Sequence, residues 1–447
     1  MSDPDELLER TAAVLAAAGV VADMRLCCAL SGGVDSVVLF EVLNRLQPRL
    51  GYRLSAAHVH HGLSPHAGGW AEACVARCAR AGVPLHVFHV EVDRLHPDGV
   101  EAAARAARHA ALDTVDCDWL AFGHHQDDQA ETVLFRLLRG TGVRGAAAMR
   151  VASAVANGRP GRLRPLLALR RAQIEDWARR AGLDWVEDES NTALHFTRNA
   201  IRHRLLPVAE ALFPAAVPAL ARAAVHFAEA DDLLGELAAS DAAACGGEVL
   251  SRRGLLALSP ARQANLMRWL MLRRAALAPS RATLDEALRQ LRACPIDHPL
   301  RLAVGAWACC AYRDAVWLEP AAATVPIAQR WNGEAALPWG DARVCFEDAT
   351  GAGLSRAALE GAIEVMLGPR TLGMRLRLDA ARPRRAFRKL CQEAGIPAWL
   401  RDRLPVLWVD GEPAWVGGIG VSAAFACLPG EAGVLPHWVP GGGKGDG

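Results

Sequence analysis

Lysine is nearly missing from this chain: among 447 residues only Lys389 and Lys444 carry it, so arginine supplies almost all the positive charge. The bias fits an alanine- and arginine-heavy composition and assigns no function. Net charge is missing too. Fifty basic and 49 acidic residues leave +1, which removes any global electrostatic reason to expect a nucleic-acid partner and leaves that question to local patches. No C-x-x-C occurs among the twelve cysteines, so zinc-ribbon and dithiol redox readings lack their spacing. Cys27 with Cys28, and Cys309 with Cys310, lie in apolar runs where successive side chains point to opposite strand faces. They read as buried free thiols, and a reducing, cytoplasmic setting is expected. No apolar run is long enough for a membrane. The stretch Ala12 to Val21 is short and alanine-rich and follows an acidic opening, so neither a signal peptide nor a span is expected. There is no G-x-x-x-x-G-K-[ST], which disfavours a Walker-type NTPase, and no repeat of fixed period.

What is present is a chain long enough for two or three domains, with 52% hydrophobic residues and 13 tryptophans to build their cores. From Arg25 to about Leu206, short apolar β runs alternate with helical patterns, the mark of a parallel sheet covered by helices. Strands are expected at Leu26 to Leu30, Leu54 to Val59, Leu85 to Val90 and Trp119 to Gly123, with a fifth around Leu163 to Leu166. Helices are expected at Ser36 to Leu46, Trp70 to Ala81, Val100 to Val115 and Asp128 to Leu138. After Pro207 the pattern turns helical for about a hundred residues. Short β-like runs return at Leu300 to Trp317, and a small mixed α/β segment follows. The expected organisation is an α/β catalytic domain over 1–210, a mostly helical substrate-binding domain over 211–325, a C-terminal domain over 326–440 and a disordered tail over 441–447.

The most informative segment is CCALSGGVDSVVLFEVL, a buried strand running into Ser31, Gly32, Gly33, Val34, Asp35 and Ser36 and then a helix. Adjacent glycines let the backbone approach phosphate oxygens, while the serines and the free amides of a helix start can donate to them. Asp35 would repel a bare polyphosphate, so a magnesium ion between the two is its preferred role. The alternative is an ordinary strand-to-helix turn with glycine at the bend and a capping serine or aspartate.

The strand, SGGxDS and helix together resemble the PP-loop of the ATP pyrophosphatase superfamily, which implies ATP cleavage to AMP and pyrophosphate. Three further segments, HVHHGL at His58 to Leu63, GHHQDDQAET at Gly123 to Thr132 and EDESN at Glu187 to Asn191, resemble the tRNA(Ile)-lysidine synthetase family in order and spacing. So do Arg198, Asn199 and Arg202 after the last of them, the RPLL segment Arg164 to Leu167, read as a strand, and LCQEAGIPAWLRDRLP at Leu390 to Pro405. The resemblance implies that free L-lysine is ligated, with ATP and Mg2+, to carbon 2 of the wobble cytidine of the isoleucine tRNA with a CAU anticodon. An adenylated cytidine is the implied intermediate and AMP and pyrophosphate are the by-products. It leaves a homodimer open. A PP-loop enzyme that thiolates or amidates another substrate, and a noncatalytic tRNA-binding relic, are the competing readings.

Asp127, Asp128 and Glu131 begin a helix, with Asp127 and Glu131 on one face at i, i+4. With His124 and Asp35 they form the expected catalytic set, binding metal or the lysine ammonium and removing the amine proton. A simple acidic first turn is the alternative. His58, His60, His61, His124 and His125 gather at strand ends, where packing on adenine or contacting phosphate is preferred to a zinc site; His58 can equally be a satisfied core histidine. Glu101, Arg105 and Arg108 share a helix face and bind lysine or phosphate, or merely pair along the helix. Arg198 and Arg202 suit phosphate or carboxylate, or salt bridges to Glu187 or Asp188. The run Arg375, Arg377, Arg382, Arg384, Arg385, Arg388 and Lys389, with Asp379 the one nearby acid, is the candidate tRNA surface, or else a solvated face.

Overall fold

The central strand of the first unit, β1 (Arg25–Ala29), buries its three middle side chains, Leu26, Cys27 and Cys28. In the computed structural model it pairs in parallel on one side with β2 (Arg53–His60) and on the other with β4 (Trp119–Ala121). The structure describes residues 4–439 apart from 94, 98, 154–158, 188–196, 275–278, 323 and 325, and apart from the side chains of 4, 101 and 197. The tail and residues 188–191 of the EDESN segment therefore lie outside the described residues. Two units divide the chain, 1–233 and 234–447.

In the first unit, β3 (Leu85–His89), β6 (Gly161–Leu163) and β5 (Ala152–Ser153) complete a six-stranded sheet in the order β3-β2-β1-β4-β6-β5. Chain order runs outward from β1 to β3, then returns across the sheet to β4. The reversal puts a topological switch point between the carboxyl ends of β1 and β4, where α/β sheets bind ligands. The sheet is not wholly parallel, since β5 runs antiparallel to β6 at the edge. The RPLL segment is a turn, not a strand. β6 stops at Leu163, and Pro165 has no amide to extend the ladder, while Leu166 and Leu167 turn inward and are buried.

Helices cover both faces, as the alternation implied. α1 (Pro4–Ala17), α2 (Val34–Leu50), α3 (Ala67–Ala81) and, beyond the sheet, α7 (Arg171–Arg180) share one core with Cys28 and Leu30. α4 (Val100–Leu112) covers the other face, where Cys27 packs with Ala57, Leu112 and Leu120. The neighbouring cysteines thus do part to opposite faces. α5 (Gln126–Leu138) starts at the switch point and is followed by the one-turn α6 (Val143–Ala146). Then come α8 (Thr197–Ala200), a π-helical turn over Ile201–Leu205, α9 (Leu206–Leu212) and the long α10 (Ala216–Cys245).

In the second unit, α11 (Arg252–Ala257), α12 (Pro260–Arg273) and α13 (Arg281–Ala293) pack on an antiparallel sheet of β7 (Leu250–Ser251), β8 (Leu300–Val304), β9 (Trp307–Tyr312) and β10 (Ala315–Pro320). Beyond it come a five-stranded and a four-stranded antiparallel sheet and a short hairpin of Arg375–Leu376 with Arg385–Ala386. All twelve cysteines are free. No single helix among the described residues is long and apolar enough to cross a membrane.

Candidate active site

The loop after β1 is held by one hydroxyl. Ser36 Oγ accepts the amides of Ser31 and Gly32, both at 3.1 Å, and donates to Gly33 O at 2.9 Å. Ser36 is buried and faces into the loop, so it shapes the cradle from behind. Gly32 takes φ +94°, and an added Cβ would come within 2.9 Å of Val186 Cγ2, whose own amide bonds to Gly32 O at 3.1 Å. Left-handed backbone and a close neighbour both demand glycine there. Gly33 caps α2, leaving the amides of Val34 and Asp35 without intrahelical acceptors at its positive end. Such a start binds anions.

Asp35 is the acid of this loop. Burial pushes its carboxyl above the ordinary range, with His125 and Arg171 pulling partly back. Its Oδ2 lies 3.7 Å from His125 Nε2, and its Oδ1 is buried without a partner among the described residues. An orphaned carboxylate oxygen beside a phosphate cradle fits a divalent cation that takes its other ligands from phosphate and water. No group of three metal-binding side chains exists among the described residues, so zinc at the histidines finds no ligand set there.

At the neighbouring strand end, α5 is capped by His125. Its Nδ1 accepts the amide of Asp128 at 3.3 Å, and Asp128 Oδ2 accepts the amide of His125 at 3.2 Å. Because Nδ1 accepts, a neutral ring carries its proton on Nε2, which points at Asp35 and, 3.4 Å away, at Asp128. His125, rather than His124, therefore stands among the three aspartates 35, 127 and 128. His124 stacks on Phe122 within electrostatic reach of Asp128, and burial together with Arg164, Arg108 and Arg105 outweighs that acid and drops it to about 3.

Asp127 and Glu131 take different partners. Asp127 takes Arg170 Nη2 at 3.0 Å and the amide of Arg171 at 2.8 Å, capping α7. Glu131, 1% exposed, takes Arg202 through both oxygens, at 2.5 and 3.1 Å. Arg202 also reaches Asp128 at 3.0 Å. The pair that shares a partner is thus Asp128 with Glu131. Arg198 joins it, 3.4 Å from Glu131 and 3.0 Å from Thr132 Oγ1. Burial alone would raise Asp128, but His125, His124, Arg198 and Arg202 outweigh it and hold it below the ordinary range.

Arg108 and Arg164 approach the same region, their charge disfavoured by burial and, for Arg108, by Arg198; Arg164 falls to about 10. Arg105 neighbours them from the same helix. The side chain of Glu101 lies outside the described residues. His58 is buried with Nδ1 on Leu30 O at 2.9 Å, which makes it a brace for the strand end. Two residues given no role from the sequence tie α5 to the segment that follows it. Gln129 bonds Met149 twice and Arg136 caps α6 through Gly145 O at 2.9 Å; only their helix position hinted at this.

In the second unit Arg377, Arg388 and Lys389 are exposed and make no ion pair among the described residues. Arg382, Arg384 and Arg385 are offset by Asp379, Glu412 and Glu393, the last two from beyond the basic run. Arg375 is spent on Arg384 O, yet it lines a cleft of about 450 Å³ with Arg370, Arg388 and Arg401.

An anion cradle, an unsatisfied aspartate and an acid pair at one switch point define a PP-loop, ATP-using enzyme. The PP-loop domain family model matches residues 5–209, the TilS substrate binding domain 250–317 and the TilS substrate C-terminal domain 365–438. A tRNA(Ile)-lysidine synthase of Aromatoleum aromaticum is 57% identical over 426 residues, covering 95% of this chain and 100% of that protein. Another from Azoarcus sp. is 55% identical over 435 residues, covering 97% and 96%. The chain belongs to the tRNA(Ile)-lysidine synthase family. Among solved structures, a U34-tRNA thiolase of Methanococcus maripaludis is similar over 50% of this chain and 78% of its own, with 19% identity and a TM-score of 0.45.

Proposed function

We propose that this chain ligates free L-lysine to carbon 2 of the wobble cytidine of the isoleucine tRNA with a CAU anticodon, so that the tRNA decodes AUA as isoleucine. In the first step the cytosine O2 attacks the α-phosphorus of ATP and pyrophosphate leaves. In the second, the lysine ε-amine adds at carbon 2, loses a proton, and AMP departs. The observation that carries this reading is the meeting of Asp35 with the Asp128 and Glu131 pair at one strand-end crevice.

The Ser31 to Ser36 loop holds the triphosphate, with Asp35 as the protein ligand of Mg2+, which when bound neutralises phosphate charge. Asp128 and Glu131 hold the lysine ammonium and take its proton. Arg105, Arg108 and Arg198 serve phosphate and the lysine carboxylate, and Arg202 serves phosphate, for both of which the guanidinium fork is suited. Asp127 and His124 act by positioning, and His58 braces the nucleotide loop. The exposed cations Arg377, Arg388 and Lys389, with Arg375, Arg384 and Arg385, hold tRNA phosphates. The division into catalytic (1–210), substrate-binding (211–325) and tRNA-binding (326–440) domains, a cytoplasmic location and a homodimer belong to the same reading.

The test is incubation with ATP, labelled lysine and total tRNA. Label retained in a single tRNA species, with AMP and pyrophosphate released in step, is expected. Label spread over many species, or none, contradicts the proposal.

A further inference from the structure

Arg202 sits where a substrate cation would have to sit. Its guanidinium grips both oxygens of Glu131 and one of Asp128, and Glu131 is 1% exposed. With Arg198 also on Glu131, two carboxylates are already balanced by two cations. A third cation entering this buried spot would leave it with an excess positive charge, which a poorly solvated site resists. We propose that Arg202 is a positioning residue that fills the ammonium subsite of the ligand-free protein and is drawn off by nucleotide phosphate, so that the amine substrate binds only after ATP. This rests on the reading of Asp128 and Glu131 as the ammonium site.

Three features support the exchange. The guanidinium is a planar fork that fits a phosphate as well as a carboxylate, so leaving the acids costs it little once a polyphosphate is present. Arg202 is also close to the phosphate loop by contact: Asp128, 3.0 Å from its guanidinium, lies 3.4 Å from His125 Nε2, which stands 3.7 Å from Asp35 Oδ2. Its backbone belongs to the π-helical turn Ile201–Leu205, a widened geometry that recurs at functional sites and offers the side chain a different exit from that of a regular helix. Phosphate and ammonium then trade one arginine between them. The two ligands are coupled through it, and by linkage each strengthens the other.

The test uses the full chain and equilibrium dialysis of labelled lysine, with and without Mg2+ and an ATP analogue bearing a methylene bridge between the α and β phosphates. The wild-type protein should bind lysine at least about tenfold more tightly with the analogue. Arg202→Gln should bind lysine without the analogue about as tightly as wild type binds it with the analogue, and gain nothing more from it. Arg202→Lys, which keeps a charge but loses the fork, should show intermediate coupling and guards against a Gln variant that does not fold. Equal wild-type affinity in both conditions overturns the proposal, and so does an Arg202→Gln protein that folds but has lost lysine binding in both. Pyrophosphate release from ATP with tRNA and lysine is measured on the same wild-type preparation. Its absence sinks the functional reading, whereas release together with nucleotide-independent lysine binding sinks this inference alone.

Discussion

Gly123 and Asp35 touch backbone to backbone: a Cβ added to Gly123 would stand 2.8 Å from Asp35 O and 3.0 Å from the Ser36 amide. The end of β4 is therefore pressed against the first turn of α2, and that contact fixes the distance between the phosphate loop and the acids of α5. The neighbours are backbone, which cannot swing aside as a side chain could. Gly123→Ala should shift the loop and lower pyrophosphate release by about 100-fold or more, since small misplacements carry that cost. Overpacking should also lower stability by about 1–3 kcal/mol. Near-normal turnover in a steady-state pyrophosphate assay would contradict this placement.

Asp35→Asn removes the charge but not the shape. tRNA affinity should stay within about twofold, because the proposed RNA surface lies in the other unit, while AMP release should stop. A filter-binding assay beside an AMP assay separates the two effects. Loss of tRNA binding in this variant would count against the division of labour.

Ser36→Ala strips the loop of its internal acceptor. The amides of Ser31 and Gly32 then lose their partner, and each buried orphan costs about 1–3 kcal/mol. Nucleotide affinity should fall by about tenfold or more, measured by titration with the ATP analogue, and the folded state should lose up to a few kcal/mol as well. If Ser36 instead donates directly to phosphate, Ser36→Cys should fail as badly; under the present geometry it retains part of the brace.

The strand, loop and first helix were legible because apolar alternation gives way abruptly to glycine, serine and aspartate, and each of those residues has one local job. Cys27 and Cys28 parted as strand geometry dictates. The acid cluster was read less well. Helix spacing put Asp127 with Glu131, but the two take different partners, and Arg170 and Arg202 lie 43 and 71 residues away along the chain. No local pattern encodes such pairs. For the same reason the capping role of His125, recognised by what its ring accepts, was not legible, and the acid partners Glu412 and Glu393 of the C-terminal arginines stayed hidden. RPLL looked like a strand because its leucines are buried, which a turn also achieves.

Asp35 and Asp128 are shifted in opposite senses. Asp128 is held below its ordinary 3.8 by surrounding cations that outweigh burial, so its stabilising contribution is present above that value and lost as pH falls through its folded one. Asp35 is raised, first by burial, so its ionised form costs stability at neutral pH and that cost is relieved as pH falls through its folded value. His125 opposes protonation of both. His125→Asn keeps a good helix cap but loses the ring, so both carboxyls should move up and the acid limb of kcat/KM should shift to higher pH, with stability changed by less than about 1 kcal/mol. An unmoved limb would mean that neither Asp35 nor Asp128 sets it.

The exposed cations of the second unit make a separable prediction, because the phosphate loop and its acids belong to the first. Arg388 is exposed at the rim of the cleft that Arg370, Arg375 and Arg401 also line, and it makes no ion pair among the described residues, so its charge is free for a phosphate. Arg384 differs: it already faces Glu412 at 3.3 Å, and part of its gain on binding RNA would be spent on leaving that partner. Each phosphate contact releases counterions, so losing one lowers the slope of log affinity against log salt by about one for duplex and somewhat less for single strands. Arg388→Gln should therefore weaken tRNA binding about tenfold at low salt and flatten that slope by nearly one, with the ATP-analogue affinity unchanged. Arg384→Gln should cost less on both measures. An equal loss in the two variants would show that the ion pair with Glu412 does not restrain Arg384, and no loss in either would return this run to the status of a solvated face.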